Sequence, residues 1–217
     1  MSARLTHNQD TNPPYPELIK AGDEANSGMD QGNLADIVAD YFKHLLCFVL
    51  PLSTFLYLAT GLLQNGPHDL TTALAWTIPF WVLLLLDWQA QTSKPKLAGM
   101  HSTKFYDAIL YLLTVLQIAN IIGMVLYINE LRWETANDVL ISLSNLVIIR
   151  FLVGTSSGTS GIVVAHELIH RPQRHWQLLG RLLLCTVCYE HFDITHKRGH
   201  HLNLGMPDDI VTARLGE

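Results

Sequence analysis

The chain has 217 residues, of which 49% are hydrophobic and only 15% are charged, and its formal net charge is -5. This balance is unusual for a soluble domain and predicts several membrane spans. The basic residues form no cluster of the kind that binds nucleic acid, so we expect no nucleic-acid partner. Its three cysteines provide no disulfide framework.

Residues 1–40 are polar, with Asn-Pro-Pro-Tyr-Pro at 12–16 and scattered acidic residues after it. Such a segment has too little apolar surface to form a core, so we predict a mostly disordered cytosolic tail. We assign the remaining residues, 41–217, to a single helical membrane domain.

Four apolar stretches lie in this domain, at about 44–63, 70–88, 106–128 and 138–166. A helix needs ~20 residues to cross the hydrocarbon layer, and each stretch is close to that length or longer. The predicted fold class is therefore all-α. We expect a polytopic membrane protein with about four transmembrane helices, plus cytoplasm-facing helices that carry histidine motifs.

The distribution of basic residues predicts the orientation, because cytoplasmic loops of membrane proteins are enriched in Lys and Arg. With the N-terminus inside, Arg132 alone lies outside, and twelve basic residues lie in the cytosol. These are Arg4, Lys20, Lys43, Lys94, Lys96, Lys104, Arg171, Arg174, Arg181, Lys197, Arg198 and Arg214. We therefore expect a multi-pass integral membrane protein, in the inner membrane if it is bacterial.

Two features of the fourth span are unusual. Arg150 lies near its middle, where a charge is costly, so it is either functional or paired internally, for example with Asp87. The run at 154–161 contains three glycines at the spacing that lets membrane helices approach closely. We expect close helix packing there, and not a break in the helix.

Seven of the eleven histidines fall between His166 and His201, mostly in two groups. The first reads His-Glu-Leu-Ile-His at 166–170, and the second reads His-Lys-Arg-Gly-His-His at 196–201. Residues four apart share a helix face, so His166 with His170, and His196 with His200, can each bind one metal or two neighbouring metals. Imidazole is the commonest metal ligand among side chains, and a purely structural role explains this set poorly.

Three further residues are candidates for supporting roles around the metal. Glu167 faces away from His166 and is a possible base, bridging ligand or hydrogen-bond acceptor. His191 precedes the second group and is a possible ligand or support for one. Asp87, at the cytoplasmic end of the second span, is a possible hydrogen-bond partner of the site.

The two histidine groups are compatible with three kinds of function. His-Glu-x-x-His is the motif of zinc metalloproteases, some of which are membrane-embedded. That chemistry needs only three protein ligands around one zinc and leaves the second group mostly unexplained. An all-histidine di-iron site that activates dioxygen uses both groups, since iron accepts imidazole readily. The third reading is a membrane subunit without turnover, in which the histidines bind metal or maintain structure.

The series of motifs resembles the membrane-bound alkane 1-monooxygenase, or alkane hydroxylase, family of the fatty acid desaturase-like superfamily. The resemblance covers roughly residues 41–217. It rests on His-Glu-Leu-Ile-His followed by Arg171, on His191-Phe192, on His-Lys-Arg-Gly-His-His, on Pro207-Asp208-Asp209, and on Leu-Leu-Leu-Leu-Asp-Trp at 83–88.

The resemblance implies a cytoplasm-facing, non-haem di-iron centre with two iron ions. The implied metal ligands are His166, His170, His196, His200 and His201. Such an enzyme hydroxylates the terminal carbon of alkanes or similar hydrophobic substrates with O2 and electrons from rubredoxin and rubredoxin reductase. A fatty acid desaturase-type enzyme of the same superfamily is the alternative.

The chain departs from the family pattern in two places. Thr195 stands where the family usually has a glutamate. The third histidine group of the family, His-x-x-His-His, does not occur between residue 202 and Glu217. We therefore expect a C-terminally truncated fragment with part of the ligand set and weak iron binding.

Overall fold

The computed structural model describes residues 41–89, 103–204, 206 and 209, and every regular element in these ranges is a helix. Among the described residues, four helical runs are long and apolar enough to cross a membrane: Tyr41–Leu63, Leu70–Gln89, Thr103–Asn129 and Ala136–Ile169. The predicted all-α architecture is confirmed, and the chain is an integral membrane protein. The tail predicted at 1–40 lies outside the described residues.

Local chemistry divides these runs into shorter elements. The first contains α1 (Val49–Leu63), the second contains α2 (Leu70–Ala75) and α3 (Ile78–Gln89), and the third is α4 (Thr103–Asn129). Asp69 caps α2 by accepting hydrogen bonds from the backbone amides of Thr71 and Thr72. Pro79 is the second residue of α3, a position where its missing N–H has no partner in the helix anyway.

The fourth run changes its helical pitch before it reaches the first histidine group. It consists of α5 (Ala136–Ser156), a π-helical segment (Ser157–Val163) and α6 (Val164–Ile169). Single π-helical turns within α-helices often occur at functional sites. Beyond it lie α7 (Arg174–Thr186), α8 (Phe192–Thr195), a second π-helical segment (His196–His200) and α9 (His201–Asn203).

The spans bury polar side chains and expose apolar ones. Gln117, Asn120 and Asn145 are 0% exposed, whereas Leu85 is 61% and Val147 is 67% exposed. This arrangement suits a bilayer, since lipid tails solvate leucine and valine but leave an amide without a hydrogen-bond partner.

A polar layer joins the spans at the end opposite the histidine groups. The Tyr57 and Tyr127 hydroxyls both donate to Asn145 Oδ1, over 2.6 and 2.7 Å. Asn145 Nδ2 in turn donates to the backbone oxygen of His68 over 2.8 Å. These bonds connect α1, α4 and α5 to the loop between the first two spans.

At the histidine end, α7 folds back against α6. A Cβ on Gly180 would lie 2.8 Å from Ile169 Cγ2 and 3.0 Å from the backbone oxygen of Ala165, so the two helices are in close contact. Leu183 and Leu184 of α7 are fully buried in the same apolar cluster. The chain then reverses near Cys188, which has a φ of 55°, and returns with the second histidine group.

Candidate metal centre

Four imidazoles meet at the end of the fourth span. His196 Nε2 lies 2.8 Å from His166 Nε2, 3.1 Å from His170 Nε2 and 3.0 Å from His201 Nε2. We call these four residues the histidine cluster. Three of them, His166, His170 and His196, have ligand atoms that all lie within 4.8 Å of one another.

The spacing of the cluster fits a shared metal ion better than a hydrogen-bond network. A ring nitrogen of neutral histidine carries either one proton or one lone pair, so His196 Nε2 cannot satisfy three neighbouring nitrogens. Two adjacent ligands at right angles on one ion, with bonds of ~2.1 Å, lie about 3.0 Å apart. The observed contacts of 2.8 to 3.1 Å agree with that geometry.

The first group is positioned by packing beneath it. α6 buries Ala165 and Leu168 and thereby directs His166 and His170 to one side, with their ring centroids 4.8 Å apart. The predicted close approach of helices holds at Gly161, where a Cβ would lie 3.3 Å from Gln117 Nε2 and 3.4 Å from Val187 Cγ1. It does not hold at Gly154 and Gly158, where a Cβ would meet nothing within 4 Å.

The i, i+4 spacing of the second group was interpreted as α-helical, but its helical pitch is wider. In an α-helix, with about 100° per residue, His201 would point about 140° away from His196. The segment His196–His200 is π-helical, with i→i+5 hydrogen bonds, so residues five apart lie much nearer to one face than in an α-helix. His201, one of the five predicted ligands, thus joins His196 in the cluster, and the ring of His200 lies beside that of His196 with centroids 5.4 Å apart.

His200 instead contacts an aspartate that the residue pattern did not single out. Its Nδ1 lies 2.9 Å from Oδ2 and 3.1 Å from Oδ1 of the buried Asp209. A carboxylate accepts, so Nδ1 is the donor, and the ring then presents Nε2 as its acceptor nitrogen. The Pro-Asp-Asp motif at 207–209, one of the features of the family resemblance, is the sequence signal that could have identified Asp209.

Asp193 is a second buried carboxylate near the cluster that the residue pattern did not single out. Its Oδ2 accepts from Arg181 Nε over 2.7 Å, and its Oδ1 lies 2.6 Å from Lys197 Nζ. Burial opposes the charge, but hydrogen bonds from Lys197 and Arg181 outweigh it and lower the pKa of Asp193. The carboxylate thus connects α7 to the turn that carries His196. The spacing of Asp193 and Lys197 could have revealed half of this network.

The cluster favours neutral imidazole, which is the form that binds metal. Burial, followed by the neighbouring His166 and His201, lowers the pKa of His196 to about 4. Burial, with His166 next in importance, also lowers the pKa of His170. Phe192 stacks on the His196 ring, with centroids 4.7 Å apart, and shields it from water.

Comparison with known proteins identifies the segment that carries this cluster. The fatty acid desaturase family model matches residues 142–216. Alkane 1-monooxygenase 1 of Pseudomonas aeruginosa is 48% identical over 65 residues, which are 30% of this chain and 17% of that protein. Alkane 1-monooxygenase 2 of the same organism is 39% identical over 89 residues, or 41% of this chain and 22% of that protein.

The matched segment is similar both to the fatty acid desaturase family and to alkane 1-monooxygenases. Alkane 1-monooxygenase of Acinetobacter baylyi is also similar, with 40% identity over 71 residues, 31% of this chain and 17% of that protein. The alignments span about a fifth or less of these relatives. No solved structure matches the chain.

The fatty acid desaturase match at 142–216 includes two of the predicted supporting residues, Glu167 and His191, but not Asp87, which is exposed on α3. Glu167 Oε1 lies 3.1 Å from Arg171 Nη2, and Arg171 Nη1 lies 3.2 Å from Asp107 Oδ1. His191 is exposed, and its ring contacts Tyr189. The supporting roles of Glu167, His191 and Asp87 at the metal stay predictions.

Proposed function

We propose that this chain is part of a membrane-bound, iron-dependent monooxygenase that hydroxylates the terminal carbon of an alkane or a similar hydrophobic substrate. The observation that carries the proposal is the approach of three imidazole nitrogens to within 3.1 Å of His196 Nε2 at the end of apolar helices. The names of the relatives support the reaction type, and proteins of this family are generally iron-dependent.

The residues present suit two irons in different ways. His166, His170 and His196 would hold one ion, with His201 beside His196. His200, fixed through Nδ1 by Asp209, would present Nε2 to a second ion. Two irons bound here would supply the activation of dioxygen for insertion into a C–H bond. The protein's own part is to orient the rings, keep them neutral and shield them with Phe192.

We further propose that the cluster faces the cytoplasm of the inner membrane and that rubredoxin and its reductase deliver electrons. The excess of Lys and Arg on the histidine side supports this orientation. A cavity of about 340 Å³ lies beside the cluster, with Lys197, Arg171 and His201 in its lining. Such an opening suits an electron carrier that approaches from water.

A desaturase-type reaction is the second candidate, because the matching family model is that of fatty acid desaturases. It uses the same metal chemistry but removes two hydrogens without adding oxygen to the product. The zinc protease hypothesis has less support, since Glu167, its required base, is engaged by Arg171.

Product analysis with isotopically labelled dioxygen tests the proposal. Membranes containing the whole enzyme of which this chain is proposed to be part are incubated with iron, an electron-donor system and a medium-chain alkane. We expect labelled primary alcohol from the wild type, none from His196→Ala, and unchanged yield from His175→Ala, an exposed histidine outside the cluster. With a saturated fatty acyl substrate in place of the alkane, an unsaturated and unlabelled acyl product would favour the desaturase. Wild-type yield from His196→Ala would contradict both.

A further inference from the structure

Arg150 is an exposed cation within a membrane span. It lies about 21 Å along α5 from Ala136, within a hydrocarbon layer ~30 Å thick. The internal partner expected from the sequence does not occur, because Arg150 is exposed and no ion pair joins it to any residue in 41–89 or 103–204. Asp87 is exposed as well. A charge that faces lipid at this depth is costly, so this surface requires a polar partner.

The residues around Arg150 have the spacing of a helix-packing seam. They recur at alternating steps of three and four along the exposed side of α5, as Leu140, Leu143, Val147, Arg150 and Gly154. We call these five residues the Arg150 face. The first three are 62%, 51% and 67% exposed. Alternating steps of three and four are typical of a helix that packs along another helix.

The glycines allow a close approach on the same side. Gly154 and Gly158 are one turn apart, and a Cβ at either would meet nothing within 4 Å. Small residues at this spacing let two membrane helices come into backbone contact. The open space at these glycines differs from Gly161, which is already covered by Gln117 and Val187.

Escape of the guanidinium to water is hindered by the direction of the helix. Helical side chains lean toward the N-terminus, so Arg150 leans toward Ala136, the more distant membrane boundary. The boundary on the histidine side is closer, at about 9 Å, if the span enters the bilayer near Ala136. A protein partner within the bilayer therefore satisfies the charge better than snorkelling does.

We propose that the Arg150 face binds a further membrane helix that presents a carboxylate at the depth of Arg150. The carboxylate neutralises the guanidinium, and the partner packs along the apolar seam and the open glycines. A second copy in a parallel symmetric contact would place Arg150 against Arg150, which like-charge repulsion opposes. The inference goes beyond the proposed enzymatic function and is independent of the metal centre.

Energy transfer in vesicles of zwitterionic phosphatidylcholine tests this pairing. The labelled full chain is mixed with synthetic Leu/Ala peptides of about 20 residues that carry one central Glu, or Gln as the matched control. We expect the wild type to bind the Glu peptide about tenfold more tightly than the Gln peptide. The preference should disappear in Arg150→Leu and Arg150→Gln and persist in Arg150→Lys. Gly154→Leu should weaken the binding of both the Glu and the Gln peptide.

Several outcomes would overturn the proposal. One is equal binding of the Glu and Gln peptides by the wild type, and another is an unchanged preference in both uncharged variants. A third is self-association of the chain that requires Arg150 and resists excess Glu peptide, which would assign the face to a second copy. Circular dichroism of each variant verifies that the helices are retained, and Arg150→Gln serves if Arg150→Leu does not fold.

Discussion

The buried carboxylate of Asp193 connects two helices through two cations. Asp193 is only 6% exposed, and Arg181 and Lys197 both contact it. Removing it leaves both cations without their partner next to the turn that carries His196. Asp193 therefore holds the segment with the second histidine group against α7.

We expect Asp193→Ala to lower the free energy of unfolding by about 2 kcal/mol, since hydrogen bonds to charged groups contribute on that scale. Denaturant titration in mild detergent measures this loss. Glu190→Ala, which removes an exposed carboxylate nearby, is the matched control and should change stability little. Equal stability of the wild type and Asp193→Ala would show that the ion pairs do not hold the turn that carries His196 against α7.

The lowered pKa of Asp193 predicts a pH dependence. A carboxyl group with a depressed pKa in the folded protein stabilises it above the ordinary value of about 3.9, and this contribution is lost as pH falls through the folded pKa. The stability difference between the wild type and Asp193→Asn should therefore be constant from pH 7 to about 5 and shrink in more acidic solution. A difference that grows on acidification would contradict the assignment.

At the scale of elements, the sequence predicted the spans closely but not the pitch of the histidine helices. The predicted span at 70–88 agrees with Leu70–Gln89, and the one at 106–128 with Thr103–Asn129, because long apolar runs determine both. The π-helical segment at His196–His200 has no comparable signal, since it depends on tertiary packing. For this reason the sequence did not predict which of His200 and His201 brings its ring nitrogen next to His196 Nε2, and in the structure it is His201.

The contact of α7 with α6 is tested at Gly180. A Cβ there would overlap Ile169, so Gly180→Ala should displace α7 and destabilise the protein by about 1–3 kcal/mol. Since the second histidine group follows α7, Co2+ binding should weaken as well. Gly154→Ala is the matched control, because its Cβ meets nothing within 4 Å and a helix tolerates alanine. Unchanged stability and Co2+ affinity in Gly180→Ala would exclude this packing.

At the scale of the whole molecule, the two ends of the bundle have separate polar cores. The layer around Asn145 closes one end, and the histidine cluster lies at the other. The sequence alone does not indicate this polar layer, because asparagine and tyrosine within apolar runs carry no periodic signal. Two sites at opposite ends of a helical bundle that share no partners usually contribute to stability independently.

Asn145→Leu tests this separation. It leaves the Tyr57 and Tyr127 hydroxyls without their acceptor, and we expect a loss of about 1–2 kcal/mol in stability. Isothermal titration with Co2+ should give the wild-type affinity, since the cluster is untouched. A large loss of Co2+ affinity in Asn145→Leu would show instead that the two ends are coupled.

The most direct test of the metal centre is anaerobic titration of the purified chain with Co2+ in lipid nanodiscs, followed by its visible absorption. The account predicts ligand-field bands from an ion bound by imidazoles, affinity at least about tenfold weaker in His196→Ala, and wild-type affinity in His175→Ala. Wild-type Co2+ affinity in His196→Ala would contradict the assignment of the histidine cluster as the metal site.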